Sequence, residues 1–369
     1  MEYKKDINTV IKRYEAFWDK DKLDRIPIRI RFPVGSLQAH ESYYEPKTKL
    51  NKSELWEDIV LDPQKYFAYW DRQLKARASF MDDSIPTAPV DLGPALMCGI
   101  MGADIFFSNG SSWSRNPLQN WTDLDRYNVN LNNKWLKKVI ATAKYFIKKS
   151  DNKFAVGLPN LTGPGDIVTC LRGACQVCLD FYEFPEEIHR LLNKSVDSYN
   201  KVMDILLDII PRYYGGTCEG YMMWTPGRGN WLACDLSTMI SPEHYREYIY
   251  QYDQKIVDYF DNCWMHVHSG GAHMIGEFLR LNGLKGIQIV NDKPAGPTIK
   301  ELLPILKKVQ EKHPLILRKY SIAEIKEILP DLSPEGLFID TQCNSLQEAE
   351  NMLQEWDLLT RRMSFQPLL

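Results

Sequence analysis

The stretch Trp264-Met265-His266-Val267-His268-Ser269-Gly270-Gly271-Ala272-His273 decides how this chain is read. An apolar run ends in two histidines, a small-residue turn and a third histidine. Side chains alternate along a strand, so His266 and His268 share one face while Met265 and Val267 share the other. Ser269-Gly270-Gly271 permits a tight turn into a helix expected over Ala272 to Leu281, whose first turn carries His273 beside the pair. A single histidine in an apolar strand is usually a hydrogen-bonded core residue. Here three of the chain's 7 histidines fall in one strand-turn-helix unit, which points to a site.

Downstream, Gly336-Leu337-Phe338-Ile339-Asp340-Thr341-Gln342-Cys343 repeats the pattern, an apolar strand emptying into a polar turn with Cys343 just past its end. One thiolate and two imidazoles form a common zinc set, provided the fold brings the two strand ends together. The rest of the chain is ordinary in bulk, with 369 residues, 44% hydrophobic and 25% charged, which suits one globular domain. A net charge of -3 gives no basic footprint for nucleic acid or an anionic membrane, so a small-molecule partner is expected. No segment has the apolar length to span a bilayer and the first residues lack a signal-peptide core, so the expected address is cytoplasmic. The 8 cysteines are then reduced, and the one CxxC, Cys175 to Cys178, falls in an expected helix without a second CxxC to complete a zinc cluster.

Periodicity gives the frame. An amino-terminal helix over Lys5 to Asp21 carries Ile7, Val10, Ile11, Tyr14 and Phe17 on one stripe, and residues 1-25 read as a helical extension. Ile26 to Phe32 alternates with period two and puts Arg29 and Arg31 on one face, where solvated charge is the ordinary reading. A long polar loop follows, then a helix-rich stretch from Ser53 to Phe80 and a strand near Ala88 to Gly93. From the N-cap Asn133 onward, helices and strands alternate: helix Lys134 to Lys149, strand Phe154 to Leu158, helices Asp166 to Phe181 and Pro185 to Ile210, strand Tyr213 to Glu219, and helix Pro242 to Phe260. The strand ending at His268 follows, then strands Gly286 to Val290, Leu315 to Leu317 and Gly336 to Asp340 separated by helices. The count is about eight strands, so residues 26-369 are expected to form a single (β/α)8 TIM barrel, an α/β fold of ~250 residues or more. An open doubly wound sheet is the alternative, but no GxGxxG follows the first strands. In a barrel the carboxyl ends of the strands carry function, which nominates Glu219, Tyr221 and Trp224 after the fourth strand, Asp292 after the sixth and Cys343 after the eighth.

The segments Leu161 to Asp166, Asp235 to Glu243, His266 to Gly270 and the strand ending at Cys343 resemble the uroporphyrinogen decarboxylase superfamily over nearly the whole chain from Arg25. Within it, the cobalamin-dependent methyltransferases are the nearer branch. That resemblance implies a zinc site from His266, His268 and Cys343, with His268 where the branch has cysteine and Asp292 available as a further ligand. One thiolate with two neutral imidazoles leaves more positive charge on zinc, which favours polarising a methylated substrate over activating a thiol. The implied activity is methyl transfer between a small methylated substrate and the cobalamin of a separate corrinoid protein. Asp235, Glu219 and Tyr221 are the expected catalytic groups. Arg29, Arg31, Arg228, Trp224, Trp231 and His273 are the expected substrate contacts, the aromatic ones suited to a methylated ammonium or an aryl methyl ether. A metal-free decarboxylase or lyase using Arg29, Arg31 and Arg228 with Asp235 or Asp91 is the alternative enzyme, and a non-catalytic ligand-binding relative the alternative outside enzymes.

Overall fold

The computed structural model describes residues 1-32, 56-108 and 111-364. The polar loop expected after the first strand and the start of the Ser53 to Phe80 stretch lie outside the described residues. The strands are β1 (Ile28–Arg31), β2 (Thr87–Pro89), β3 (Ile105–Ser108), β4 (Ser111–Ser114), β5 (Ala155–Gly157) and β6 (Gly216–Cys218). They continue as β7 (Trp224–Pro226), β8 (Gly229–Ala233), β9 (Asn262–His268), β10 (Leu284–Val290), β11 (Leu315–Arg318) and β12 (Leu337–Gln342). Six of them form one parallel ladder in the order β1-β12-β11-β10-β9-β8, within a mixed α/β chain.

Shorter contacts extend both ends of this ladder. On the β8 side, Gly229 N donates to Thr217 Oγ1 at 2.9 Å, and Leu158 after β5 bridges in parallel to Glu219 after β6. β5 in turn pairs with β2. On the β1 side, among the described residues, no strand pairs with the edge; Asp83 N donates to Ile28 O at 2.8 Å and side chains do the rest. Ile28 N donates to Asp83 Oδ2 and Ile30 N to Asp82 Oδ2, each at 2.9 Å, so two carboxylates satisfy backbone donors that burial would otherwise strand.

The registers stack the inward residues in layers. His266, Gln288, Ile316 and Phe338 align across β9, β10, β11 and β12. Two residues further along the same strands, His268, Val290, Arg318 and Asp340 align, joined on β1 by Arg29. Below both layers the amino-terminal helix, Ile7–Asp19, closes the bottom. Its stripe of Ile7, Val10, Ile11, Tyr14, Phe17 and Trp18 is buried, with Tyr14 and Phe17 both against Phe338 at 5.4 and 5.5 Å. Trp18 Nε1 donates to Trp224 O at 2.9 Å. Each of these aromatic rings buries roughly 150 to 250 Å², so the plug is a main apolar anchor of the bottom end.

Three expectations change. β8 adds a strand between Glu219 and Pro242, where no element is expected; Gly229 and Asn230 are poor strand formers, and the ladder with β9 supplies the pairing. The helix expected over Asp166 to Phe181 is two, Pro164–Arg172 and Ala174–Glu183, broken where Gly173 takes φ 96°. The segment after His268 is a 3-10 turn, Ser269–Met274, before a short helix, Ile275–Phe278. Asn133 caps its helix as expected, accepting from Trp135 N at 2.8 Å.

Candidate functional site

The upper layer and the strand ends beyond it form the site. His266 is buried and donates through Nδ1 to Gln288 Oε1 at 2.6 Å, a bond set by the direct register of β9 with β10. An amide oxygen can only accept, so Nε2 is the nitrogen left with the lone pair. Burial, with His268 and Arg318 nearby, draws the His266 pKa down to about 3 and keeps the ring neutral. Tyr221 stacks on it at 5.4 Å and 17°, Trp231 meets it edge-on at 5.5 Å, and Arg318 lies 4.3 Å over the other face of Tyr221.

His268 lies at the rim, perpendicular to His266 with ring centres 5.2 Å apart. Its Nδ1 donates to Asp292 Oδ1 at 2.7 Å, and Asp235 Oδ1 stands 3.8 Å from Nε2. The hydrogen bond to Asp292, aided by the charge of Asp235, raises the His268 pKa despite partial burial. Asp292 is itself fixed by Ser269 and by Gly270 N.

Three arginines occupy the opposite side of the layer. Arg31 Nε donates to Asp340 Oδ1 at 3.0 Å, Arg29 Nη1 lies 3.5 Å from Oδ2, and Arg318 Nη1 bonds the same oxygen. Against burial, which alone would raise it, Arg318, Arg31 and Arg29 hold the Asp340 carboxyl well below the ordinary range. Arg29 also donates to Tyr221 O. Glu219 closes the floor between them, accepting from Tyr221 N at 2.6 Å and Met223 N at 3.2 Å, and burial lifts its pKa to about 7. Asp91, lifted by burial to about 8, accepts from Asn160 N at 2.5 Å and Gly93 N at 2.8 Å. Thr162, Met222 and Lys319, each just past a strand end here, have φ of 56°, 56° and 64°, a conformation non-glycine residues adopt at a cost that clusters at working sites.

The expected residues therefore divide. Asp235, Glu219, Tyr221, Trp231, Arg29, Arg31, His266, His268 and Asp292 come together. Trp224 does not: its ring packs on Tyr14 of the bottom plug and its Nε1 donates to Tyr213 O at 2.7 Å. Arg228 precedes β8, at the amino end of that strand, where its Nη2 donates to Tyr259 O at 2.8 Å. His273 turns to Ile240 O at 3.2 Å. Cys343 follows β12, with Sγ donating to Ser345 O at 3.4 Å, and among the described residues no three His, Cys, Asp or Glu side chains group as a metal site. Asp292 is engaged in orienting His268, and Cys343 in closing its own turn, so His266, His268, Asp292 and Cys343 are not gathered as one ligand set among the described residues. Gln288 and Asp340 are site residues that motif reading passed over. Parity could have found both, because each is a polar residue at an inward position of an otherwise apolar strand.

No family model matches the chain, and no curated protein matches it by sequence. Among solved structures it is similar to a methyltransferase from Methanosarcina mazei, with a TM-score of 0.66 and 11% identity over 95% of this chain and 98% of that one. At that identity the likeness is one of fold. Among the described residues no helix is long and apolar enough to cross a membrane.

Proposed function

We propose that the protein is a methyltransferase built on a (β/α)8 barrel, taking a methyl group from a small methylated substrate bound over the upper layer. The acceptor, on the resemblance to the cobalamin-dependent branch of the uroporphyrinogen decarboxylase superfamily, is the corrinoid of a separate cytoplasmic protein that docks over the strand ends. The observation that carries the reading is His268, held between Asp292 and Asp235 in the same layer as a buried guanidinium row and separated from it by Val290. The fold shared with a methyltransferase supports it.

In this reading the guanidiniums of Arg29, Arg31 and Arg318 hold an anionic group of the substrate. Tyr221 and Trp231 form the wall beside it. When the methyl group leaves, its bonding electrons stay on the substrate heteroatom, which then takes a proton from His268 Nε2. Asp292 holds the imidazole in the tautomer and orientation this needs, and Asp235 supports the charged ring. His266 stays neutral and, with Gln288, fixes the floor. No step is routed through zinc.

Incubation with methylated ammonium and methyl ether compounds and with reduced cobalamin tests this, with methylcobalamin followed by its absorbance. Formation that depends on the protein and is lost in His268→Gln supports methyl transfer; no formation with either class of donor rejects it. Asp91, held protonated beside Glu219, favours decarboxylation as a second reading. Carbon dioxide release from carboxylate-bearing members of these compounds without loss of methyl would select it.

A further inference from the structure

The group of three at the rim is unevenly held. His268 is fixed by Asp292, and Asp292 by Ser269 Oγ and Gly270 N. Among the described residues no hydrogen bond fixes the carboxylate of Asp235, whose side chain is 57% exposed and stands 3.8 Å from His268 Nε2. Its place is therefore set by the backbone that carries it. Asp235 opens a 3-10 turn, Asp235–Thr238, closed by Ser237 N on Cys234 O at 3.0 Å and by Met239 N on Leu236 O at 2.9 Å. The first amides of such a turn have no partner within it. Leu236 N finds one on another element, donating to Asp166 Oδ1 at 3.1 Å.

Asp166 lies in the first turn of the helix Pro164–Arg172, which two glycines seat against the end of β8. A Cβ at Gly163 would fall 2.0 Å from Ala233 O, and one at Gly165 would fall 3.2 Å from Cys234 Sγ. The loop before the helix is tied in series, with Asn160 N on Asp91 Oδ2 at 2.5 Å and Thr162 N on Asn160 Oδ1 at 2.7 Å. Thr162 takes φ 56° there, a conformation kept only where the surroundings over-determine it. One connected path thus runs from Asp91 through Asn160, Thr162 and Asp166 to the turn of Asp235. Burial, with Asp235 and Asp253 nearby, holds the Asp166 carboxyl well above the ordinary range, so it caps the turn as a neutral acid and sets no further negative charge beside Asp235. Its Oδ2 is buried with no hydrogen-bond partner among the described residues, so the carboxyl is kept at a cost to stability.

We infer that Asp166 is a positioning residue that acts through Asp235: by capping the turn at Leu236 it fixes where the Asp235 carboxylate stands relative to His268. Its part in turnover rests on the methyl-transfer reading; the placement itself stands on the hydrogen bonds of the turn. Released from Asp166, the turn would let the Asp235 carboxylate move away from the imidazole it supports.

A double-mutant cycle on the full-length protein tests the inference with two readouts. One is the rate of methylcobalamin formation. The other is the midpoint of His268 titration, followed by NMR of its ring nitrogens, which needs no methyl donor. Asp235→Asn should lower both, and Asp166→Ala should do the same, slowing turnover by about 10²-fold, as a displacement near an ångström does. In the Asp235→Asn background Asp166→Ala should add little, since effects that pass through one shared group are not additive. Asp166→Asn keeps an acceptor at Oδ1 and should restore both readouts to near wild type. Asp292 and Lys319, the other charged groups that act on His268, are the same in every variant and cancel in the cycle. Wild-type turnover and an unchanged His268 midpoint in Asp166→Ala, or losses that multiply in the double variant, overturn the inference. Should Asp166→Ala fail to fold, hydrogen exchange on the wild type decides: a protected Leu236 N–H supports the cap, and exchange at the rate of an open loop overturns it. A wild type that demethylates no donor while the NMR cycle stays non-additive would retain the positioning role and reject the methyl-transfer reading. Turnover with an additive cycle would do the reverse.

Discussion

Asp340→Asn is the sharpest test of the upper layer, because one carboxylate serves three guanidiniums that are each nearly inaccessible to water. The amide keeps the shape of the side chain and removes the charge. Breaking a buried ion pair by neutralising one partner costs about 3 to 5 kcal/mol, because the other charge stays buried without compensation. At about 2.1 cal/mol/K of unfolding entropy per residue over 369 residues, a loss near 4 kcal/mol lowers Tm by about 5 °C. Differential scanning calorimetry would measure it. The direction of the Asp340 shift fixes the pH dependence: its folded pKa lies below the unfolded value near 3.9, so its contribution is present above about pH 4 and lost as pH falls further. The wild-type advantage over Asp340→Asn should therefore shrink toward acid. Small carboxylates should raise the Tm of the variant more than that of the wild type, by supplying from solution part of the missing negative charge. A Tm within 1 °C of wild type, with no response to acetate, would refute the idea that Asp340 is the counter-ion of the arginine row.

Other outcomes follow from the same geometry. His268→Gln should lower methyl transfer by about 10²- to 10⁴-fold, the usual worth of a positioned proton donor, while the urea-unfolding midpoint stays close to wild type; equal turnover would remove the proton role. Gln288→Leu strands the buried Nδ1-H of His266 and should cost about 1 to 3 kcal/mol in denaturant unfolding. Asp253 is fully buried beside the Tyr245 hydroxyl at 2.9 Å, and burial lifts its pKa to about 7. Its contribution is complete below the unfolded pKa near 4 and is lost by the time pH has risen through about 7, by as much as about 4 kcal/mol, so Asp253→Asn should flatten urea-midpoint curves between pH 4 and 7. Cys343→Ser should leave the zinc content of the purified protein unchanged by elemental analysis. Loss of one zinc per chain would mean that the turn after β12 rearranges to reach the histidines.

Much of the frame was legible because long, strongly periodic segments overrule local ambiguity. The amino-terminal stripe, the cap at Asn133 and the alternation ending at His268 all appear where period and capping put them. β8 was illegible for a physical reason: Gly229 and Asn230 are poor strand formers, and what makes them a strand is pairing with β9, a tertiary fact. Trp224 and Arg228 failed for another reason. Between β6 and β8 the chain doubles back through the β6-β7 hairpin, so residues that follow a strand in sequence return to its amino end in space. Cys343 has the sequence signature of a ligand, yet its thiol is spent on the Ser345 carbonyl, a local contact that no spacing rule anticipates.

The arginine row is itself an argument for function. Replacing buried ion pairs by well-packed apolar residues is often neutral or stabilising, so stability alone gives no reason to keep three guanidiniums in the protein interior. These same strands show that the apolar solution is open to them. Two residues before Arg318 and Asp340, at the same inward parity, stand Ile316 and Phe338, and Phe338 packs on the amino-terminal plug. The transition from apolar to charged thus falls between adjacent layers of the same two strands, with stability concentrated below and charge above. A Phe338→Ala cavity should then cost about 3 to 5 kcal/mol in stability, as large aromatic truncations do. It should leave the methyl-transfer rate of the folded protein unchanged, whereas Arg318→Gln should lower that rate. If both variants moved stability and rate together, the two layers would be one cooperative unit and the separation argued from their registers would fail.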